Sequence, residues 1–175
     1  MHSPYDTDLD KNSANYQSLT PLTFLRRAAG VYPAKVAVIH GDMRLSYADL
    51  YRRSRRLASA LSRHGIGKGD TVSVMAPNVP ALLEAHYGVP MIGAVLNALN
   101  IRLDAANIAF ILDHAETKFL ITDRMFAPII REALEIATRG GADILGRPEC
   151  GRIEVGARAD IAIWDVSGIE SAGSW

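Results

Sequence analysis

The sequence predicts an α/β fold: a partial parallel sheet with covering helices, followed near the C-terminus by a helix and a short β segment. Three short apolar runs alternate with two segments of helical periodicity between residues 70 and 123. The runs cover residues 71–75, 94–96 and 119–122. Alternating strands and helices are typical of parallel sheets, and strands that are apolar throughout need helices on both faces. We therefore expect three parallel strands joined by right-handed crossovers.

Two helices are predicted between these strands. The first begins at Val79 or Pro80 and runs to about Met91. Pro90 should kink or end this helix, because proline lacks the backbone N–H that a helix interior uses. The second helix covers residues 104–114.

The residues upstream predict a helix and then a hairpin. Thr20 and Pro21 suit the N-cap and the first position of a helix, which should stop near Gly30. Residues 35–40 alternate between apolar and polar side chains and predict a strand. Residues 43–45 predict the strand that returns beside it after a tight turn.

A longer, arginine-rich helix is predicted next. Ser46 can cap this helix, which runs to about His64. At three- and four-residue steps one face carries Tyr47, Leu50, Ser54, Leu57 and Leu61. The arginines that lie mainly off this face are Arg52, Arg53, Arg55, Arg56 and Arg63. They suit either a stripe that binds phosphates or nucleic acid or an ordinary solvated face, and the formal net charge of zero favours the solvated face.

The glycine-rich segment 65–70, GIGKGD, has the composition of a phosphate-binding loop but not its position. Phosphate loops follow a strand and open a helix, so that the amides at the helix N-terminus face the anion. Here a helix precedes the segment and a strand follows it. Gly65 is better explained as the left-handed residue that ends the helix.

The composition is that of an ordinary globular chain. Its 175 residues are 49% hydrophobic and 22% charged, which leaves room for a core. The zero net charge gives no pull towards nucleic acid or an anionic membrane, and no apolar run reaches the about 18 residues of a membrane span. The single cysteine, Cys150, excludes an internal disulfide and a cysteine-based zinc site. The polar first residues lack a secretory pattern, so we expect a cytoplasmic protein.

Five short runs together resemble the beginning of an acyl-CoA synthetase of the adenylate-forming AMP-binding superfamily. These runs are residues 33–38 (PAKVAV), 45–50 (LSYADL), 65–70 (GIGKGD), 76–78 (APN) and 93–97 (GAVLN). None is diagnostic alone, but their order and spacing fit over roughly 105 residues, up to about Phe126. The resemblance implies an ATP-dependent enzyme that activates a carboxylic acid through an acyl-adenylate and transfers it to CoA.

After Phe126 the sequence changes character. Residues 131–146 predict a helix, and residues 151–166 read GRIEVGARADIAIWDV. This second pattern resembles the C-terminal end of a metal-dependent amidohydrolase of the guanine or 8-oxoguanine deaminase kind. The alternative is that residues 131–175 are an ordinary helix, turn and hairpin that complete the first domain.

These resemblances predict four segments along the chain. Residues 1–18 form a disordered tail, and residues 19–126 form the N-terminal fragment of an AMP-binding domain. Residues 127–130 form the junction, and residues 131–175 form an amidohydrolase-like fragment. We therefore expect the reading frame to be chimeric or truncated.

The groups that perform either chemistry are missing from the sequence. Complete acyl-CoA synthetases use ATP, CoA and Mg, and the resemblance implies a Ser/Thr/Gly-rich loop ending in Pro-Lys and a Thr-Glu pair; neither occurs here. The amidohydrolase resemblance implies a metal-binding His-x-His, which is also absent. Cys150 has no histidine near it in sequence, which disfavours a nucleophile. We therefore assign no catalytic, cofactor-binding or metal-binding residue and expect no bound cofactor.

Three functional hypotheses remain open. The first is a fragment of an ATP-dependent acyl-CoA synthetase, inactive alone. The second is a non-catalytic α/β association module, which could self-associate through the apolar strand predicted at residues 160–166. The third is the remnant of an amidohydrolase acting on C–N bonds.

Overall fold

The computed structural model describes residues 10–144, and for residues 138–144 only the backbone. Eleven elements follow one another in this range. They are α1 (Pro21–Val31), β1 (Val36–His40), β2 (Met43–Ser46), α2 (Tyr47–Arg63), β3 (Thr71–Met75), α3 (Pro80–Met91), β4 (Val95–Ala98), α4 (Ala105–His114), β5 (Thr117–Thr122), a short 3₁₀ helix (Arg124–Phe126) and α5 (Ala127–Ile144).

The strands form the predicted parallel sheet. β3 lies in the centre, with β4 on one side and β5 on the other, and both pairings are parallel. In register, Val72 lies opposite Leu96 of β4 and Phe119 of β5. β4 begins and ends later than predicted, and β5 begins two residues earlier, at Thr117. β1 and β2 form the predicted antiparallel hairpin as a separate two-stranded sheet.

Helices cover both faces of the parallel sheet, as the uniformly apolar strands predict. On one face, side chains of β3 and β5 pack with α2 and α3 in a core built from Leu61, Val72, Val74, Ala85, Val89, Phe119 and Ile121. On the other face, Met75 and Leu120 pack with α4 and α5, in a core that includes Ile108, Leu112, Ile130, Ala133 and Leu134.

The helix starts follow the predicted capping chemistry. The Thr20 hydroxyl accepts from the Thr23 N–H at 3.2 Å, and the Thr23 hydroxyl accepts from the Thr20 N–H at 3.0 Å. Ser46 and Asp49 form the same reciprocal pair at the start of α2. The hydrogen bonds from Ser46 are the main reason why the pKa of Asp49 is lowered. Such caps each stabilise a helix by about 1 kcal/mol.

A row of polar side chains crosses the sheet beneath α4 and α5. Ser73 is fully buried, and its hydroxyl lies 2.7 Å from the hydroxyl of Thr117 on β5. The side-chain amide of Asn97 on β4 donates to the Ser73 hydroxyl at 2.9 Å. The buried serine thus connects all three strands.

The predicted junction at residues 127–130 forms the first turn of α5. The helix begins at Ala127 rather than at the predicted residue 131, and Pro128 is tolerated there because first-turn amides need no partner within the helix. Ile130, Ala133 and Leu134 are buried in the core with α4. The domain boundary itself stays a prediction.

Other sequence predictions fall outside the described residues. These are the predicted strand at 160–166, the motif at 151–166, Cys150 and the first nine residues of the predicted tail. Residues 10–18 are described; they are exposed and contain no helix or strand. None of the helices within residues 10–144 combines the length and the apolar composition that crossing a bilayer requires.

Close packing of α2 against α3 generates a prediction that uses two helical glycines. A Cβ atom added at Gly88 would lie 2.9 Å from the Ser54 carbonyl oxygen and 3.1 Å from the Leu57 Cβ, whereas one at Gly30 would meet nothing within 4 Å. Gly88→Ala should therefore lower the free energy of unfolding by about 1–3 kcal/mol through overpacking. Gly30→Ala, the matched control, should raise it by about 0.5–1 kcal/mol through its better helix propensity. Urea unfolding followed by circular dichroism measures both, and equal stability of the two variants would contradict the packing described.

Candidate functional site

The carboxyl ends of the three parallel strands form the edge at which open α/β sheets bind their ligands. The chain leaves β3 at Met75, β4 at Ala98 and β5 at Thr122. The first residues after β4 and β5 are hydrogen-bonded to the end of β3. The Leu99 N–H donates to the Val74 carbonyl oxygen at 2.9 Å, and the Asp123 N–H donates to the Met75 carbonyl oxygen at 2.8 Å. We take this carboxyl edge as the candidate functional site.

Three exposed polar side chains line the loops after β3 and β4. They are Asn78, Asn100 and Arg102. The Asn100 side-chain oxygen accepts from the Arg102 N–H at 3.0 Å, which shapes the loop after β4. Amides and a guanidinium in this position can hydrogen-bond a polar or anionic ligand. Asn78 ends the APN run of the family resemblance, whereas Asn100 and Arg102 were not predicted from the sequence; their place directly after a predicted strand was the available signal.

The carboxylates at this edge cap helices. Asp104 accepts from the Asn107 N–H at 2.8 Å and so begins α4. Asp123 accepts from the Met125 N–H at 3.0 Å and so begins the 3₁₀ helix. Because both carboxylates hold backbone amides, we assign neither of them an acid–base role.

The glycine-rich segment lies at the opposite end of the sheet, before the amino end of β3. Gly65 has a φ of 79°, which confirms its predicted place as the left-handed residue after α2. Asp70 accepts from the Gly67 N–H at 2.8 Å and from the Lys118 ammonium. The hydrogen bond from Lys118, and after it the one from Gly67, lower the pKa of Asp70. The hydrogen bond to Asp70 raises the pKa of Lys118. The segment is an internally bonded turn rather than a phosphate loop.

The four histidines of the described part lie on, or directly after, four different elements: β1, α2, α3 and α4. His86 bonds the Leu82 carbonyl oxygen at 2.7 Å, and the His114 ring stacks on Phe110 at 5.5 Å. Within residues 10–144, no group of three or more histidine, cysteine, aspartate or glutamate side chains could hold a metal ion.

One buried ion pair joins α2 to α3. Glu84 is 3% exposed, and the Arg53 Nε donates to its carboxylate at 2.6 Å. Burial raises the pKa of Glu84, and the hydrogen bond and charge of Arg53 oppose that rise only in part. The solvated face favoured for the arginines of α2 is wrong for Arg53, whose side chain turns towards α3 and pairs with Glu84. The available signal was Glu84, the only charged residue in α3.

A perturbed buried carboxylate can mark a catalytic group or a structural ion pair. Glu84 lies between two packed helices, and its partner is a guanidinium. The carboxyl edge lies elsewhere, in the loops after β3, β4 and β5. We therefore interpret the pair as a clamp between α2 and α3.

Comparison with known proteins adds the family context. Residues 25–157 match the family described as AMP-binding enzyme, a range that runs through the predicted junction. An acetate–CoA ligase from Humulus lupulus is 54% identical over 129 residues, which are 74% of this chain and 23% of the relative. A peroxisomal acetate/butyrate–CoA ligase from Arabidopsis thaliana is 47% identical over 141 residues, 81% of this chain and 25% of the relative.

Solved structures share the fold. The N-terminal domain of FACL13 from Mycobacterium tuberculosis superposes with a TM-score of 0.66 at 27% identity, over 86% of this chain and 34% of that one. A protein described as a long-chain-fatty-acid CoA ligase from Rhodopseudomonas palustris gives 0.63 at 32% identity, over 66% of this chain and 30% of that one. The chain thus spans about a quarter of the length of the two curated relatives.

The Arg53–Glu84 clamp predicts a strong effect of removing one partner. Arg53→Met should lower the free energy of unfolding at pH 7 by about 3 kcal/mol, because it leaves a buried carboxylate without a counter-charge. Arg56→Met, an exposed arginine on the same helix, should change it by less than about 0.5 kcal/mol. Urea unfolding measures both. If Arg53→Met is as mild as Arg56→Met, the clamp contributes nothing.

The raised pKa of Glu84 also predicts a pH dependence. The native state keeps the Glu84 carboxyl proton to a higher pH than the unfolded state does, because the reference pKa of an unfolded glutamate is 4.5. The Glu84 contribution to the free energy of unfolding should therefore fall as pH rises from about 4.5 through the raised native pKa. Glu84→Gln removes that fall, so its stability relative to the wild type should increase between pH 4.5 and 7.5. The control is Glu132→Gln, an exposed glutamate on α5 that should leave the wild-type profile unchanged. Parallel profiles of wild type and Glu84→Gln would rule the effect out.

Proposed function

Since the chain belongs to the AMP-binding enzyme family, we propose that it supplies the N-terminal part of an AMP-forming acid–CoA ligase. The observation that carries the proposal is the 54% identity to an acetate–CoA ligase over 129 residues. The parallel sheet β4–β3–β5, with helices on both faces, gives this part a complete core of its own. The reaction of the complete enzyme would join a carboxylic acid to CoA through an acyl-adenylate.

The contribution of this part to the reaction would be its carboxyl edge. Asn78, Asn100 and Arg102 present hydrogen-bond donors there, and Arg102 adds a positive charge. A complete enzyme would use ATP, Mg and CoA, all of which carry or bind phosphate. Our proposal is that this edge forms one wall of the site and that the phosphate-holding groups come from other parts of the enzyme.

The chain alone would not form an acyl-adenylate. Its sequence has no Ser/Thr/Gly-rich run ending in Pro-Lys and no Thr-Glu pair. Groups that stabilise charge only in the transition state each contribute orders of magnitude to a rate. A scaffold without them is inactive.

Two other proposals concern the end of the chain and its location. The motif at residues 151–166 resembles the end of an amidohydrolase, although the AMP-binding match overlaps it as far as residue 157. A deaminase-like reading frame in the neighbouring DNA would support this second origin. A cytoplasmic location is our proposal, and the Arabidopsis relative, named as peroxisomal, supplies the competing one.

A non-catalytic association module is the second candidate function. The observation that favours it is the edge of the sheet at β4, which pairs only with β3 within residues 10–144 and where Val95 is 52% exposed. An open strand edge offers unpaired backbone groups to another chain. The strand predicted at residues 160–166 is a further candidate for self-association.

Complementation in trans tests the ligase proposal. The chain alone should release no pyrophosphate above background when given ATP, CoA and acetate, butyrate or benzoate. The hop acetate–CoA ligase, truncated to remove its 129 matched residues, should also be inactive. Mixing or co-expressing the two should restore acetate-dependent pyrophosphate release, because the missing N-terminal layer is supplied again.

The intact hop enzyme is the positive control, and Gly88→Ala of this chain is the matched variant that should restore less. Pyrophosphate release by the chain alone, dependent on both ATP and an acid, would contradict the first part. A co-folded but inactive mixture would favour the association module.

A further inference from the structure

A groove lies between the first three helices, away from the carboxyl edge. Its volume is about 320 Å³. The residues that line it are Leu22, Thr23 and Arg26 of α1, Tyr51, Arg55 and Ala58 of α2, and Met91 of α3. This volume is at the lower end of the about 300–1,000 Å³ typical of small-molecule sites.

The groove has an apolar base and a basic rim. Ala58 is buried, and Leu22, Tyr51 and Met91 are half-buried, so they offer apolar surface inside the groove. Arg26 and Arg55 are exposed, one on α1 and one on α2. A ligand with an apolar body and a charged head would match both parts.

The rim arginines have no carboxylate partner within residues 10–144. Arg26 donates a long 3.4 Å hydrogen bond to the side-chain oxygen of Gln17. The Arg55 guanidinium lies 5.7 Å from the centre of the Tyr51 ring, a weak cation–π contact. Both guanidinium groups therefore keep donors for a further acceptor.

The carboxylates of the surrounding helices are already used. α1 contains no acidic residue, α2 contains only Asp49, and α3 contains only Glu84. Asp49 pairs with Arg52, and Glu84 pairs with Arg53. The groove thus carries two positive charges and no counter-charge from these three helices, so its electrostatics select an anion.

We propose that this groove binds an amphipathic anion: a small aliphatic or aromatic molecule with a carboxylate or phosphate head. The head would bridge Arg26 and Arg55, as guanidinium groups bind both kinds of oxyanion in paired hydrogen bonds. The body would lie against Leu22, Ala58 and Met91. Such a ligand would bridge α1 and α2 and hold them together.

This site is separate from the one in the proposed function. α3 returns from the carboxyl end of β3 to the amino end of β4, so Met91, at its C-terminus, lies near the amino ends of the strands. Substrates of a parallel sheet bind at the opposite, carboxyl ends. The groove therefore serves as a second binding site, and the inference does not depend on the ligase proposal.

Calorimetric titration of the whole 175-residue chain tests the inference with four probes. Octanoate and octyl phosphate have both the body and the head, octanol lacks the charge, and inorganic phosphate lacks the body. The first two should bind saturably to one site per chain, at least tenfold more tightly than octanol or inorganic phosphate. Comparing octanoate with octyl phosphate shows which head the site prefers.

Two double variants with equal charge change locate the site. Arg26→Gln/Arg55→Gln should raise the Kd of both amphiphiles at least tenfold. Arg27→Gln/Arg56→Gln changes exposed arginines one position along the same two helices, outside the groove lining, and should leave the Kd within twofold. All four arginines are exposed, so folding should persist, as circular dichroism can verify. The absence of saturable binding, equal binding of octanol, or equal weakening by both double variants would overturn the inference.

Discussion

The burial of the central strand β3 is the constraint on which the described fold depends. Its side chains are buried from Val72 to Met75, and it is hydrogen-bonded to a strand on each side. Each large apolar side chain gains about 1.5–3 kcal/mol from full burial, but only where a helix covers it. Because neighbouring residues point to opposite faces, Val72 and Val74 require α2 and α3, while Met75 requires α4 and α5. One five-residue strand thus accounts for two helical layers.

The row of polar side chains that crosses the sheet through Ser73 fixes the register of the three strands. Apolar contacts tolerate a slip of two residues, since such a slip keeps every side chain on its face. Ser73 does not tolerate it, because its buried hydroxyl bonds both Thr117 and Asn97. A buried hydroxyl that loses its partners costs about 1–3 kcal/mol. The sheet is therefore stabilised by burial and aligned by one serine.

Some arginines of α2 form ion pairs that stabilise the fold, and others are not paired with a carboxylate among the described residues. Arg52 and Arg53 are engaged by the carboxylates of Asp49 and Glu84, which fasten α2 internally and to α3. Arg55, two residues further along the same helix, lies near the Tyr51 ring and forms no ion pair within residues 10–144. Neighbouring arginines of one helix thus have different roles, and the difference arises from where the few carboxylates lie.

The sequence by itself determined the elements, their order and the family. Apolar runs and capping residues such as Thr20 and Ser46 are local signals, so these helix starts and the parallel sheet could be predicted from them. Only the tertiary structure decided which charges meet. Arg53 and Glu84 are 31 residues apart in sequence, and their pairing depends on how α2 and α3 pack. The groove between α1, α2 and α3 is likewise a property of three helices brought together, which periodicity within any one helix cannot specify.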